Sequence, residues 1–146
     1  MQGILELKKI SRLLNKKESK MQFLFTQGLV SVYRHRVKGF CLIASKNIPK
    51  GTFLFTNAVG MIGFDDLKRK SSFNDYPMYW GKKTDCIAFG LANLLNHAEE
   101  SNVRLVRDIR RRLISAFALQ RISKGEELTI HYHCKLWFDP RKSVSR

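Results

Sequence analysis

Short β-prone runs separated by turn signals are the feature that most restricts how this chain can fold. The runs are rich in Val, Ile, Leu, Phe and Tyr, and each is only a few residues long. They fall at residues 29–33, 40–44, 52–55, 104–107, 113–119 and 128–130. Turn signals at residues 47–51 and 123–126, each with a Lys-Gly pair, keep neighbouring runs apart. Many short strands and few long helices predict a mostly β fold with short helices and a non-sequential strand order.

Two further segments differ in composition from these runs. Residues 64–83 combine paired aspartates and serines with the aromatic residues Tyr76, Tyr79 and Trp80. We interpret them as a mixed helical and loop insert. Residues 86–95 are small and apolar, which predicts a tightly packed segment.

Length and patterning indicate one folded domain with basic extensions. The chain has 146 residues, of which 44% are hydrophobic, and this suits a domain with one core. Residues 1–22 are predicted to form a basic amphipathic helix and a linker, residues 23–138 the domain, and residues 139–146 a basic tail. The apolar positions at helical spacing are Ile4, Leu7, Ile10 and Leu14. Packing of this helix on the domain is favoured over contact with a membrane or a nucleic acid.

No apolar run has the length of a membrane span, and the first residues lack the apolar core of a secretory signal. The three cysteines, Cys41, Cys86 and Cys134, are odd in number and widely spaced. They give neither a disulfide framework nor a paired zinc motif, so we expect reduced thiols and no bound metal. An intracellular location follows, with nucleus and cytoplasm both open.

The charge of the chain is strongly positive. Lys and Arg number 27 against 12 Asp and Glu, a formal net charge of +15. Such a field attracts acidic partners such as nucleic acid, chromatin or an anionic membrane. We favour this interpretation over a basic surface that serves solubility alone. The basic residues are spread along the chain, so charge indicates an environment and no activity.

Four separated segments together indicate a chemistry. Residues 38–51 hold a glycine turn and Ile-Pro-Lys-Gly, and residues 75–80 read Asp-Tyr-Pro-Met-Tyr-Trp. Residues 94–102 hold Asn-His, and residues 118–132 hold Gly-Glu-Glu-Leu-Thr followed by a tyrosine. In this order they resemble the SET domain of protein-lysine methyltransferases, in its compact stand-alone form. The resemblance covers residues 36–138, and the Asn-His pair followed by the closing segment is its specific part.

The resemblance implies the SET-domain fold, in which small curved sheets end in a C-terminal pseudoknot. Asn96 and His97 would then lie beside the strand that ends at Tyr132. Such threading is rare among proteins. It is therefore implied by the resemblance and not by the periodicity of the sequence.

The implied reaction is methyl transfer from S-adenosylmethionine to a lysine side chain of a protein, a histone or a nucleic-acid-associated protein. An in-line displacement at an activated methyl group mainly requires alignment of donor and acceptor. The lysine amine must also be neutral, although its ordinary pKa is about 10.4. A channel of low dielectric constant beside a positive charge lowers that pKa.

The resemblance assigns roles to individual residues. Tyr132 matches the catalytic tyrosine, and Glu126 and Glu127 match residues with a structural role. The positions that match cofactor-binding residues are Gly39, Phe40, Cys41, Asn96, His97 and Trp137. The positions expected to line the lysine channel are Tyr76, Tyr79, Trp80 and Ile130, since aromatic rings suit an alkylammonium group.

The sequence departs from the family pattern at several positions. Cys41 stands where the family has a second glycine, and its side chain is expected to crowd the cofactor or alter the turn. Ala98 replaces a serine, Ser101 a proline, and His131 an aspartate. The alternative function is a catalytically silent SET-like module that binds nucleic acid or chromatin. Retention of Asn96, His97 and Tyr132 opposes it.

Overall fold

The computed structural model of the protein describes residues 28–63, 76–81 and 84–133. These residues are mostly β, as the turn-divided pattern predicts. The strands are β1 (Val30–His35), β2 (Gly39–Ala44), β3 (Phe53–Gly63), β4 (Met78–Gly81), β5 (Thr84–Ala88), β6 (Asn96–His97), β7 (Val103–Asp108), β8 (Leu113–Ala118) and β9 (Glu127–Ile130). A 3₁₀ helix, Leu91–Leu94, lies between β5 and β6.

The strands form two sheets with non-sequential order. One sheet runs β1-β2-β9-β6 and the other β4-β5-β3-β8-β7. Neighbouring strands pair antiparallel except β6 and β9, which are parallel. In that parallel pair Asn96 lies opposite Thr129 and His97 opposite Ile130. The two segments that the resemblance places side by side are therefore neighbours.

Two similar turns join the sheets. Ile48 and Ile122, which each begin an Ile-x-Lys-Gly turn, exchange backbone hydrogen bonds of 2.8 and 2.9 Å. Each turn ends on a glycine with positive φ, and that glycine N–H donates to the strand that precedes the other turn. The two bonds run from Gly51 to Ala118 and from Gly125 to Ala44, each 2.8 Å long. The turns thus link the ends of β2 and β8 reciprocally.

The hydrophobic core fills the space between the sheets. On β8 the buried residues alternate with half-buried ones, as expected when one face of a strand points inward. Leu42, Ile48, Ile122 and Leu128 have no exposed surface. Each such side chain stabilises the fold by about 1.5–3 kcal/mol through burial.

The prediction of a mixed helical and loop insert at residues 64–83 is wrong in part. Met78–Gly81 forms β4, an edge strand that pairs antiparallel with β5. Its aromatic residues favour extended structure, and the guanidinium of Arg107 donates to the carbonyl oxygens of Tyr79 and Trp80 at 3.0 and 3.3 Å. Arg107 belongs to β7, the opposite edge, so the sheet curls enough for one side chain to bridge its two outermost strands.

Several predictions fall outside the described residues. They are the helix and linker at residues 1–22, the tail at residues 139–146, residues 64–75 and 82–83 of the insert, and Trp137. Residues 86–95 include the end of β5 and the 3₁₀ helix. The packed segment is confirmed in part, because Cys86, Ala88, Ala92 and Leu95 are buried whereas Phe89 is 69% exposed. Within the described residues no helix has the length and hydropathy to span a membrane.

Candidate active site

Tyr132 follows the end of β9 and is held by two hydrogen bonds to the segment that contains β6. Its hydroxyl donates to the carbonyl oxygen of Leu95 at 3.0 Å, and its backbone N–H donates to Nδ1 of His97 at 3.2 Å. The two rings lie 5.3 Å apart. The residue as a whole is 37% exposed, and its hydroxyl is oriented by the hydrogen bond to Leu95.

His97 is fixed in one tautomer by its neighbours. Its side chain is only 2% exposed. Because Nδ1 accepts the Tyr132 N–H, the proton of the neutral ring lies on Nε2, which faces Oε1 of Glu99 at 3.3 Å. This bond holds the pKa of Glu99 below its ordinary value, His131 acts in the same direction, and desolvation opposes both.

Glu99 also contacts His131, so the carboxylate lies between two imidazole rings. Nε2 of His131 is 3.4 Å from Oε2 of Glu99, and Nδ1 of His131 accepts the N–H of His133. Both histidines therefore present an Nε2 proton to the carboxylate. Glu99 was not predicted as a site residue, although its position two residues after His97 was a signal.

The cluster of His97, Glu99 and His131 fits a hydrogen-bonded arrangement better than a metal centre. Its possible ligand atoms lie within 4.8 Å of one another. A metal-binding histidine commonly donates its second ring N–H to a carboxylate or carbonyl. Here each Nδ1 instead accepts a backbone N–H. A metal on Nε2 would require those N–H groups to lose their acceptors. The expectation of no bound metal stays a prediction.

Asn96 is oriented by two of the other predicted segments. Its side-chain amide donates to Oε1 of Glu127 at 2.8 Å and to the carbonyl oxygen of Phe40 at 3.3 Å. The other oxygen of Glu127 accepts from Nζ of Lys38 at 2.7 Å. Lys38 and Glu127 were missed as site residues, because they are far apart in sequence. They join the glycine turn to Asn96.

The neighbouring Glu126 has a comparable role. Its Oε1 accepts from the side-chain amide of Asn102 at 3.0 Å, and its Oε2 accepts from the backbone N–H of Ser123 at 2.8 Å. Asn102 in turn bonds both the carbonyl of Glu127 and the N–H of Thr129. Both glutamates thus orient asparagine side chains, as expected for a structural role.

The glycine turn places Phe40 and Cys41 on opposite sides of β2. Gly39 has φ of +78°, which suits glycine, and Phe40 is 52% exposed. Cys41 is 2% exposed, and its thiol donates to the carbonyl of Tyr33. Burial raises the pKa of Cys41, and Glu127 raises it further, while Lys38 and a backbone hydrogen bond lower it. The thiol therefore packs against β1, on the face opposite Phe40.

The residues predicted for the lysine channel lie in different environments. Trp80 and Ile130 belong to the core, 7% and 8% exposed. Tyr79 is 63% exposed, and the guanidinium of Arg107 lies 5.5 Å from its ring centroid. Tyr76 is exposed at the start of the segment that leads into β4. A role in the channel stays a prediction for all four residues.

Comparisons with known proteins agree with this geometry. The family model described as the SET domain matches residues 39–133. A histone-lysine N-methyltransferase of Schizosaccharomyces pombe, described as specific for lysine 37 of H3, is 32% identical over 113 residues, covering 75% of this chain and 77% of that protein. A solved structure from Plasmodium falciparum, described as a candidate histone methyltransferase, superposes with a TM-score of 0.59. It is 19% identical, and the match covers 77% of this chain and 99% of that one.

Proposed function

Because the chain belongs to the SET-domain family, we propose that it transfers a methyl group from S-adenosylmethionine to a lysine side chain of a protein substrate. The observation that carries the proposal is the position of Tyr132. The Tyr132 hydroxyl bonds the Leu95 carbonyl, and the Tyr132 backbone N–H bonds His97. These two bonds hold the end of β9 against the Asn-His segment. Membership of the family makes the chain a protein-lysine methyltransferase.

The residues at the glycine turn fit the proposed cofactor. Exposed Phe40 offers an aromatic surface for a flat adenine, and its carbonyl meets the side-chain amide of Asn96. Asn96, His97 and the backbone of Gly39 and Phe40 would hold the cofactor, with Cys41 contributing backbone only because its thiol is buried. When bound, S-adenosylmethionine supplies an activated methyl group on a sulfonium.

The protein itself aligns the lysine amine with the methyl donor and accepts a hydrogen bond from that amine. The Tyr132 hydroxyl directs its proton to Leu95, so its oxygen acts as an acceptor for an N–H of the lysine amine. This orients the amine lone pair for in-line attack. An aligned acceptor that stabilises the developing ammonium favours the transition state over the ground state.

The substrate that we propose is a histone or another nucleic-acid-associated protein. Two observations support it. The Schizosaccharomyces pombe relative is named for a histone lysine, and the net charge of +15 favours an environment rich in nucleic acid. An intracellular, nuclear location would follow from a histone substrate.

Calorimetry of S-adenosylmethionine binding tests the cofactor assignment. The unmodified protein is expected to bind in the micromolar range, and Asn96→Ala is expected to lose this binding. Asn47→Ala is the matched control, because Asn47 is exposed and its side-chain oxygen accepts the N–H of Lys124. No binding by the unmodified protein would contradict the proposal and favour a silent basic module.

A further inference from the structure

The loop between β7 and β8 carries three consecutive arginines, Arg110, Arg111 and Arg112, here called the arginine tip. All three side chains are exposed, beside Ile109, which is 58% exposed. Within the described part of the chain the only ion pair of the tip is Arg111 with Asp108 at 3.4 Å. The tip therefore presents a concentrated positive charge to the solvent.

The backbone of the tip is held in place by bonds at both of its ends. Oδ1 of Asp108 accepts the N–H of Arg111 at 2.9 Å. The carbonyl of Arg112 accepts the N–H of Val59 at 3.0 Å, which ties the loop to β3. The β7–β8 ladder continues to its last pair, Asp108 with Leu113. The three charges thus project from an ordered platform, which reduces the entropy lost when they bind a partner.

Arg112 occupies a backbone conformation that favours glycine. Its φ is +54°, in the left-handed region where a Cβ atom is unfavourable. Stability alone would favour glycine at this position. An arginine in this conformation carries a conformational cost, and such strain is a reason to seek a role for the side chain outside folding.

We propose that the arginine tip docks on the phosphate backbone of duplex DNA. Guanidinium groups match phosphate oxygens in charge and in bidentate geometry. The choice of DNA rests on the proposed function, because a protein of charge +15 is repelled by a free basic tail. Docking on the DNA that carries the substrate removes this obstacle and brings the active site to the tail.

The test is fluorescence anisotropy of a short labelled DNA duplex over a range of salt concentrations. The triple variant R110Q/R111Q/R112Q is expected to bind roughly tenfold or more weakly at low salt. The slope of log affinity against log salt should fall by about one for each arginine that contacts a phosphate. The matched control is K50Q/R121Q/K124Q, which removes equal charge from exposed positions at the Ile48 and Ile122 turns.

The controls show whether DNA binding depends on the arginine tip or on the overall charge of the protein. Equal weakening by the two triple variants, or none by the tip variant, would overturn the proposal. So would capture of anionic lipid vesicles through the tip without binding of the duplex. Arg112→Gly supplies a further check: it should weaken DNA binding while the melting temperature stays level or rises. A fall in melting temperature would make Arg112 structural.

The proposal and the methyl-transfer proposal can fail separately. Anisotropy needs neither methyl donor nor protein substrate. The tip variant is expected to methylate a free basic peptide at the unmodified rate or somewhat faster, because it repels the peptide less, and to lose the advantage of a DNA-bound substrate. A loss of activity on the free peptide would contradict a role in docking alone.

Discussion

The side-chain amide of Asn96 donates to a carboxylate oxygen of Glu127 at 2.8 Å, across the parallel pair of β6 and β9. The second oxygen of Glu127 bonds Lys38, at the entry to the glycine turn. One half-buried carboxylate therefore connects the three segments of the candidate cofactor site. Its role is to position Asn96, which we expect to contact the cofactor directly.

Glu127→Gln is expected to weaken S-adenosylmethionine binding roughly tenfold. A hydrogen bond to a charged group contributes about 1.5–3 kcal/mol, and part of that orients Asn96. Calorimetry measures the change in Kd. Glu100→Gln, at an exposed position four residues after Asn96, is the control. Unchanged affinity in Glu127→Gln would show that the orientation of Asn96 does not depend on this carboxylate.

Arg107→Gln is expected to lower the free energy of unfolding by about 1–2 kcal/mol. The variant loses two hydrogen bonds to the carbonyls of β4 and the contact with the Tyr79 ring. Chemical denaturation measures the change. Arg104→Gln removes the same charge from the same strand and should have little effect, because Arg104 lies on the face of β7 opposite Arg107. Equal destabilisation by both variants would exclude the bridge as the cause.

The effect of Glu99→Gln on stability is expected to depend on pH. Hydrogen bonding from His97 lowers the pKa of Glu99 in the folded protein. A depressed carboxyl pKa stabilises the fold above the unfolded-state value of about 4.3, and this contribution is lost as pH falls through the folded-state pKa. Melting temperatures of protein and variant should differ slightly at neutral pH and converge in acid. A difference that persisted or grew well below the unfolded-state pKa would contradict the assignment.

Cys86 is expected to resist alkylation in the folded protein. Burial, with a smaller effect of Asp85, raises the pKa of its thiol to about 11 against an opposing effect of Arg107. The thiolate is the reactive form, so iodoacetamide near neutral pH should label Cys86 only after denaturation. Peptide mass spectrometry measures the labelling, in a Cys134→Ser background that removes a competing thiol. Rapid labelling of Cys86 in the native protein would contradict the burial of its thiol.

Much of the fold could be predicted from the sequence because local signals agree with it. The hairpin of β7 and β8 follows from two β-prone runs around residues 108–110, and β9 follows from the turn before it. Strand β4 was missed because it is short, and its position depends on Arg107, far along the chain. The parallel pairing of β6 with β9 was implied by the resemblance, since no local pattern specifies it.

The candidate site shows the same division. The resemblance identified Tyr132, Asn96 and His97, and the structure brings these three together. The contacts that support them were not predictable. Leu95 contributes a backbone carbonyl, which any residue type supplies, and Glu99 contacts both His97 and His131, which are far apart in sequence. The Cys41 side chain was expected to crowd the cofactor or to alter the turn. Which of these applies depends on the face of β2 that the side chain occupies, and in the structure the thiol is buried.

The most direct test of the account is a methyl-transfer assay with labelled S-adenosylmethionine, histone H3 as substrate, and the variants Tyr132→Phe and Tyr33→Phe. Tyr33 is an exposed tyrosine of β1 and serves as the matched control. We expect the unmodified protein and Tyr33→Phe to methylate equally, and Tyr132→Phe to lose about a hundredfold or more in kcat with cofactor affinity retained. Equal turnover by Tyr132→Phe and the unmodified protein would contradict a catalytic role for the Tyr132 hydroxyl.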